Sequence, residues 1–395
     1  MSRIPIIGMG AVSAAGHCAS KGYDAVVAGK DCLTPLSLFD AALKAVPLCG
    51  QVPDDPEPGY SSGGPNRCAG LALRAIREAL QPMPERNGLR LGMVLATTVA
   101  GMTRSEQFYR ALRDDPGYLE HAARELACHE PTAIAGFLAR QINAQGFHSI
   151  STACSTSLHA LGMAKRLIEH DRYDLCLAVG VDALSILTVR GFASLMLLDF
   201  SGCKPFDARR VGISLGEGAG ALLLASAKAA RQSGIEPVAA VAGWGASADG
   251  HHMTAPHPDG EGAVRATTAA LEEADIAASA IDMIAAHGTG TPDNDIAEIR
   301  AMRTLFDPLP PFCSMKRTLG HTLAASGILE TVFAIHALHD NRIPATAGFE
   351  QPDEAINAQP SPGEEKIIHH FIKNSFGFGG NNASVVISKW EWSKQ

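Results

Sequence analysis

The segments of this chain run through the same order twice, and that repeat limits the folds open to it more than any other feature. "IIGMGAVSAAGH" (6–17) is matched by "AVAGWGASADGHH" (240–252). Each is an apolar strand running into Gly-x-Gly-Ala, then small residues and another glycine. "GLALRAIREAL" (70–80) followed by "LGMVLATTV" (91–99) pairs with "AVRATTAALEEADI" (263–276) followed by "IDMIAAHGT" (281–289). A third pairing sets the helix beginning near Cys154 and the strand "YDLCLAVGVDAL" (173–184) against "GHTLAASGILETVFAIHAL" (320–338) and "HHFIKNSFGFGGNNASVVISK" (369–389). Short apolar strands with helices between them predict an α/β fold in layers, with parallel pairing and covered sheet faces. The repeat divides the chain into two halves, 1–236 and 237–395, packed against one another. The crevice for chemistry is expected where strand ends of both halves meet. Coincidence between glycine-rich α/β segments is the alternative, and several correspondences in one order weigh against it.

The remaining segments are less regular. Residues 50–66 are a turn-rich loop, and 104–145 carry helical patterns that read as an insertion over the front half. Residues 344–365 are proline- and acid-rich and read as a surface excursion.

Charge and cysteine usage exclude several classes. Lys and Arg number 33 against 41 Asp and Glu, a formal charge of −8, so the basic field of a nucleic-acid binder is missing. No run approaches the roughly 18 apolar residues that a membrane span needs; "GAGALLLASA" is bounded by Glu217 and Lys228. "MSRIPIIGMGAV" reads as a first strand rather than a signal peptide. Nine scattered cysteines, with no C-x-x-C pair or zinc-finger spacing, suit a reducing, cytoplasmic compartment.

Four segments can carry chemistry. "HSISTACSTSLHALGMAKRLI" (148–168) places Cys154 among small hydroxyl residues at a helix start, where unpaired amides and the helix dipole favour the thiolate. "AAHGTGTPDNDIAE" puts His287 directly after an apolar strand. "CSMKRTLGHTLAASG" sets Lys316 and His321 five apart, and "NSFGFGGNNAS" is a glycine-rich turn able to present backbone N–H groups. Each alone is weak: buried cysteines are common, and a histidine after a strand is often structural. Together they offer a sulfur facing two imidazoles, without the carboxylate partner of a simple Cys–His protease.

These stretches give the chain a resemblance to the condensing enzymes of the thiolase superfamily, within it the elongating β-ketoacyl-acyl-carrier-protein synthases. "GMGAVSAAG", "TACSTSLHA", "KPFDARRVGISLGEGAG", "HHMTAPHPDG", "AHGTGTPDND", "MKRTLGH" and "FGFGGNN" carry it across almost the whole sequence. The resemblance implies a duplicated thiolase-like fold with layered α-β-α-β-α architecture. It also implies a decarboxylative Claisen condensation with malonyl-acyl-carrier protein, in fatty-acid or specialised polyketide or polyene synthesis. Cys154 then resembles the acyl-accepting nucleophile, and His287 and His321 the pair that stabilises the charge left when CO2 departs. Lys316 looks like the lysine that orients the second histidine, and Glu298 like a structural or water-organising acid. Phe378 resembles the gate beside the nucleophile, its N–H joining that of Cys154 in an oxyanion hole. Thr289 and Thr291 look like hydroxyls that orient the pantetheine arm or malonyl group. No cofactor and no metal are implied. The expected partners are acyl-carrier protein bearing acyl or malonyl phosphopantetheine, and a second subunit in a homodimer or a ketosynthase-like heterodimer. A non-catalytic subunit that sets chain length in a heterodimer is the competing function; Cys154, both histidines and Lys316 argue against it.

Other signals have rival uses. "GMGAVSAAG" lacks the full G-x-G-x-x-G spacing of a dinucleotide site, which favours close backbone packing. His251, His252 and His257 offer zinc-ligand chemistry or a loop near the site, the latter preferred. Asp293 and Asp295 read as loop caps rather than metal ligands. Lys204, Arg209 and Arg210 suit carrier docking or structural ion pairs equally. Helix "LHALGMAKRLIEH" is expected near a subunit interface. Val211 and Ile213-Ser214 depart from the family pattern, and the "MLLDFSGCKPFD" segment is compact, which leaves chain length and carrier preference open.

Overall fold

A computed structural model of the chain describes residues 3–53, 66–83, 85, 88–121 and 126–391. The front half contributes strands β1 (Ile4–Ser13), β2 (Leu91–Ala96), β3 (Gly146–Ile150), β4 (Leu175–Asp182) and β5 (Gly218–Ala225). The rear half contributes β6 (Ala239–Ala248), β7 (Met283–Ala285), β8 (Phe312–Cys313), β9 (His370–Gly377) and β10 (Asn381–Ser388). They form one ten-stranded sheet in the order β8-β7-β9-β10-β6-β1-β5-β4-β2-β3. Reading outward from the centre, each half repeats the other strand for strand. The halves are joined by antiparallel pairing of only Ile4–Ile6 with Ala239–Val241.

The principal helices are α1 (Ala19–Val27), α2 (Arg67–Leu80), α3 (Met102–Asp114), α4 (Pro131–Gln141), α5 (Thr156–Glu169), α6 (Ile186–Ser194), α7 (Glu261–Ala274), α8 (Pro292–Leu305) and α9 (Ser326–Asp340). Three apolar clusters define the layers. Residues of α2 and α4 pack on one face of the front strands, and those of α7 and α8 on one face of the rear strands. Between the two sets of strands lie α5 and α9, whose apolar residues cluster with side chains of both halves. The duplicated α-β-α-β-α layering is therefore present. Strand β4 shows why its sequence is continuously apolar: Leu177, Val179 and Val181 point to the outer cluster and Cys176 and Ala178 to the central one.

The repeated Gly-x-Gly is a packing device. A Cβ on Gly8 or Gly10 would lie 2.0 Å from the Ala79 carbonyl or 2.2 Å from that of Ala75, both on α2. A Cβ on Gly243 or Gly245 would lie 2.1 Å from the carbonyls of Ala270 and Ala266 on α7. Both halves thus seat an outer helix on the strand backbone in the same way.

The expected pairing needs correction. Pairing is parallel only in the outer strands; β5 and β10 run antiparallel to their neighbours, so each half is a mixed sheet. Residues 369–389 form a hairpin, β9 and β10, about the glycine-rich turn, where Gly379 and Gly380 have φ of 81° and 76°. The apolar face of "LHALGMAKRLIEH" packs within the chain in the central layer. Of the 50–66 loop, residues 54–65 lie outside the described residues. The 344–365 segment is less superficial than its composition suggests: Ile356 is buried, and Asp353 pairs with Arg210 at 2.5 Å.

Candidate active site

The loop that carries Cys154 is tied by its own hydroxyls. The Thr156 hydroxyl accepts from the Thr152 N–H at 2.9 Å and donates to the Ala153 carbonyl, while the Ser155 hydroxyl donates to the Thr152 carbonyl at 2.9 Å. This closure holds Ala153 at φ 51°, a left-handed conformation that strains an L side chain, immediately before Cys154. The sulfur therefore stands just ahead of α5, 6% exposed, at the base of a cleft enclosing about 780 Å³, part of it open to solvent.

Two rear-half loops bring the imidazoles over it. His321 follows Gly320, whose φ of 75° turns the chain, and its backbone is pinned by the front half: its N–H donates to the Ser214 carbonyl at 2.7 Å, and its carbonyl accepts from Gly216 at 2.9 Å. The His321 Nε2 lies 3.0 Å from Cys154 Sγ. His287 leaves the end of β7, and its ring meets that of His321 edge-on at 5.4 Å. Glu298 on α8 fixes that turn, accepting from the His287 and Gly288 N–H groups at 2.7 and 2.8 Å. Gly288 is needed there, since its φ is 42° and a Cβ would lie 2.6 Å from Ser314.

Lys316 is fully buried and donates to the His287 carbonyl at 3.0 Å and to Glu330 at 2.6 Å. It therefore holds the backbone of the first histidine, not the ring of the second; His321 is oriented by the front half instead. Phe378 sits on the glycine turn after β9, its ring 5.5 Å from that of Phe192 on α6. The Gly377 backbone abuts the nucleophile loop so closely that a Cβ would come within 2.9 Å of the Thr152 carbonyl. The backbone N–H groups of Phe378 and Cys154 both bear on the sulfur. Thr289 and Thr291 line the cleft with their hydroxyls 2.9 Å apart.

Burial dominates the protonation states. It pushes the Cys154 thiol up to about 12, and the Lys316 charge and the Phe378 N–H only partly oppose it. Desolvation thus works against the thiolate that the helix start favours. Burial first, then the charges of Lys316 and Lys373, holds both His287 and His321 well below the usual histidine range. Both rings are neutral at neutral pH and can donate or accept.

Two functional neighbours have no counterpart among the sequence candidates. Glu330 on α9 and Lys373 on β9 are fully buried and paired at 2.8 Å. A trace of them exists in the sequence: a charge within the apolar runs "GILETVFAIHAL" and "HHFIKNSFG". Other candidates find structural work. Lys204 pairs with Asp199, Arg209 with Asp207 and Glu350, and Arg210 with Asp353. Asp295 accepts from the Phe206 and Gly290 N–H groups, as a loop cap does. His252 and His257 cap their own loop through Nδ1, and the His251 ring meets that of His257 edge-on at 5.2 Å. Among the described residues no helix is long and apolar enough to cross a membrane.

Comparison with known proteins gives one consistent answer. Residues 1–230 match the beta-ketoacyl synthase N-terminal domain and residues 238–350 its C-terminal domain. The 3-oxoacyl-acyl-carrier-protein synthase 2 of Coxiella burnetii is 32% identical, over 98% of each chain. The ishigamide ketosynthase/chain length factor structure superposes with a TM-score of 0.91 at 26% identity, covering 98% of this chain and 99% of that one. A type II polyketide ketosynthase, bound to a hexaketide and in complex with its acyl-carrier protein, gives 0.86 at 26% identity over 98% and 99%.

Proposed function

The chain belongs to the β-ketoacyl synthase family and is an acyltransferase; on that premise we propose that Cys154, His287 and His321 carry its condensation. The observation that supports this most is the 3.0 Å approach of a rear-half imidazole to a front-half sulfur. In acyl loading, Sγ attacks the carrier thioester carbon while His321 Nε2 takes the thiol proton. The carrier thiolate then leaves and is protonated, and the N–H groups of Cys154 and Phe378 hold the tetrahedral oxyanion.

In the second stage a malonyl thioester loses CO2, and the bonding electrons pass into an enolate whose oxygen faces His287 and His321. Donors aimed at developing charge lower the barrier more than they stabilise the ground state. The enolate carbon attacks the acyl thioester, the Cys154 thiolate leaves, and the product is a β-keto thioester two carbons longer. Glu298 and Lys316 hold the His287 backbone for this, and Thr289 and Thr291 orient the pantetheine arm. Acyl-carrier protein is the donor, the halves 1–236 and 237–395 are the two units, and a second subunit, in a homodimer or a ketosynthase-like heterodimer, packs near α5 and its neighbouring strands.

Intact-mass analysis after mixing the purified chain with acyl- and malonyl-carriers tests the assignment. Wild type should gain an acyl mass and release CO2 with β-keto product; Cys154→Ala should gain none. Loading that survives this substitution removes the sulfur from the mechanism.

A further inference from the structure

Lys373 takes no part in the steps above, yet it lies in the core beside them. It sits on β9 opposite Ala285 of β7 and is fully buried. Its Nζ donates to the carbonyls of Ala286 at 3.0 Å and Asn374 at 2.7 Å, and pairs with Glu330 Oε2 at 2.8 Å. Lys316 makes the matching set from the other side, through Glu330 Oε1 and the His287 carbonyl. One carboxylate thus holds two ammonium groups, and those groups hold the consecutive carbonyls of 286 and 287.

Taking two cations and an anion out of water is costly: burial pulls Lys373 below the usual lysine range, and the charges of Glu330 and Glu298 oppose that shift. The groups nearest the imidazoles are Lys316, Lys373, the Cys154 thiol and Glu298, which caps the His287 turn; Glu330 lies behind the two lysines.

We propose that Lys373 is a positioning residue of the condensation site: with Lys316 it clamps the segment carrying His287, and it supplies a positive charge behind the imidazoles that favours the enolate. This rests on the function proposed above. A fixed positive charge in a desolvated site acts on developing negative charge without reorganising at the moment of reaction. Acyl loading has no enolate, so it should depend on Lys373 far less.

Lys373→Met removes donor and charge, whereas Lys373→Gln keeps a donor for the carbonyls and removes the charge. Malonyl-carrier decarboxylation should fall about 10- to 100-fold in both variants, with acyl loading at pH 7.5 reduced by less than about threefold. The acid limb of loading should also move up by about one pH unit, since loss of a nearby cation eases protonation of His321. Unchanged decarboxylation in both variants would show that the site needs neither the donor nor the charge, and recovery in the Gln variant alone that hydrogen bonding suffices; either overturns the proposal. So would failure of both variants to fold by circular dichroism, which would make the lysine architectural. Failure of the function itself reads differently: wild type would then neither load nor condense.

Discussion

In the front half the buried carboxylate beside the site is Asp182, at the end of β4. It accepts from the hydroxyls of Thr97 and Thr98 and from the N–H groups of Thr98, Val99 and Ala324, at 2.5–2.9 Å. In the rear half there are two: Glu298, which accepts from the His287 and Gly288 N–H groups, and Glu330, whose partners are the ammonium groups of Lys316 and Lys373. The strand order is the same, but one hub is an acid among neutral donors and the other an acid between cations. The front hub fixes the loop after β2 and the turn before α9, while the rear hub places charge behind the two imidazoles. Duplication supplied the scaffold twice; the acid between two cations is found behind the imidazoles of the rear half and not beside Cys154 in the front half.

The sharpest way to break this comparison is to neutralise both hubs. Glu330→Gln leaves two buried ammonium groups uncompensated and should cost about 3–5 kcal/mol by urea unfolding. Asp182→Asn loses acceptors from neutral donors and should cost about 1–3 kcal/mol. Equal losses would mean that the lysines add nothing to the rear hub. Next in size is the split between steps. His287→Ala should slow decarboxylation about 10²–10³-fold while acyl loading falls much less. Equal damage to both steps would place His287 in loading as well.

The smallest expected effect is on pH. Both histidines titrate below their unfolded value of 6.5. Below pH 6.5 the unfolded chain therefore binds more protons than the folded one, and stability falls as pH falls. Each ring should contribute at most about 1.4 kcal/mol per pH unit in that range. Urea midpoints at pH 7.5, 6.5 and 5.5 would read this slope, to which the partly buried His159 and His336 add, and His321→Asn should reduce it by one ring's share. A flat profile would show that the rings are not buried neutral.

The legibility of this chain divides by range. Its duplication is written locally: Gly8, Gly10, Gly243 and Gly245 mark where helices touch strands, and apolar periodicity marks the layers. Cys154, His287 and His321 were visible because each stands at a strand or helix boundary, where loops build sites. The turn at 377–380 was legible as well, but not that Gly377 also makes the close approach to the Cys154 loop. Lys373 and Glu330 were hidden, because a lone charge in an apolar run declares nothing until its partner is known. Sequence alone determined the repeat, the layers and the cast of reactive groups, all of which depend on neighbours a few residues away. Only the tertiary structure decided the thiol's protonation, the lysine that holds His287 and the sign of the charge behind the imidazoles. Those follow from desolvation and from Coulomb interactions between groups tens to hundreds of residues apart, and neither exists before the chain has closed around them.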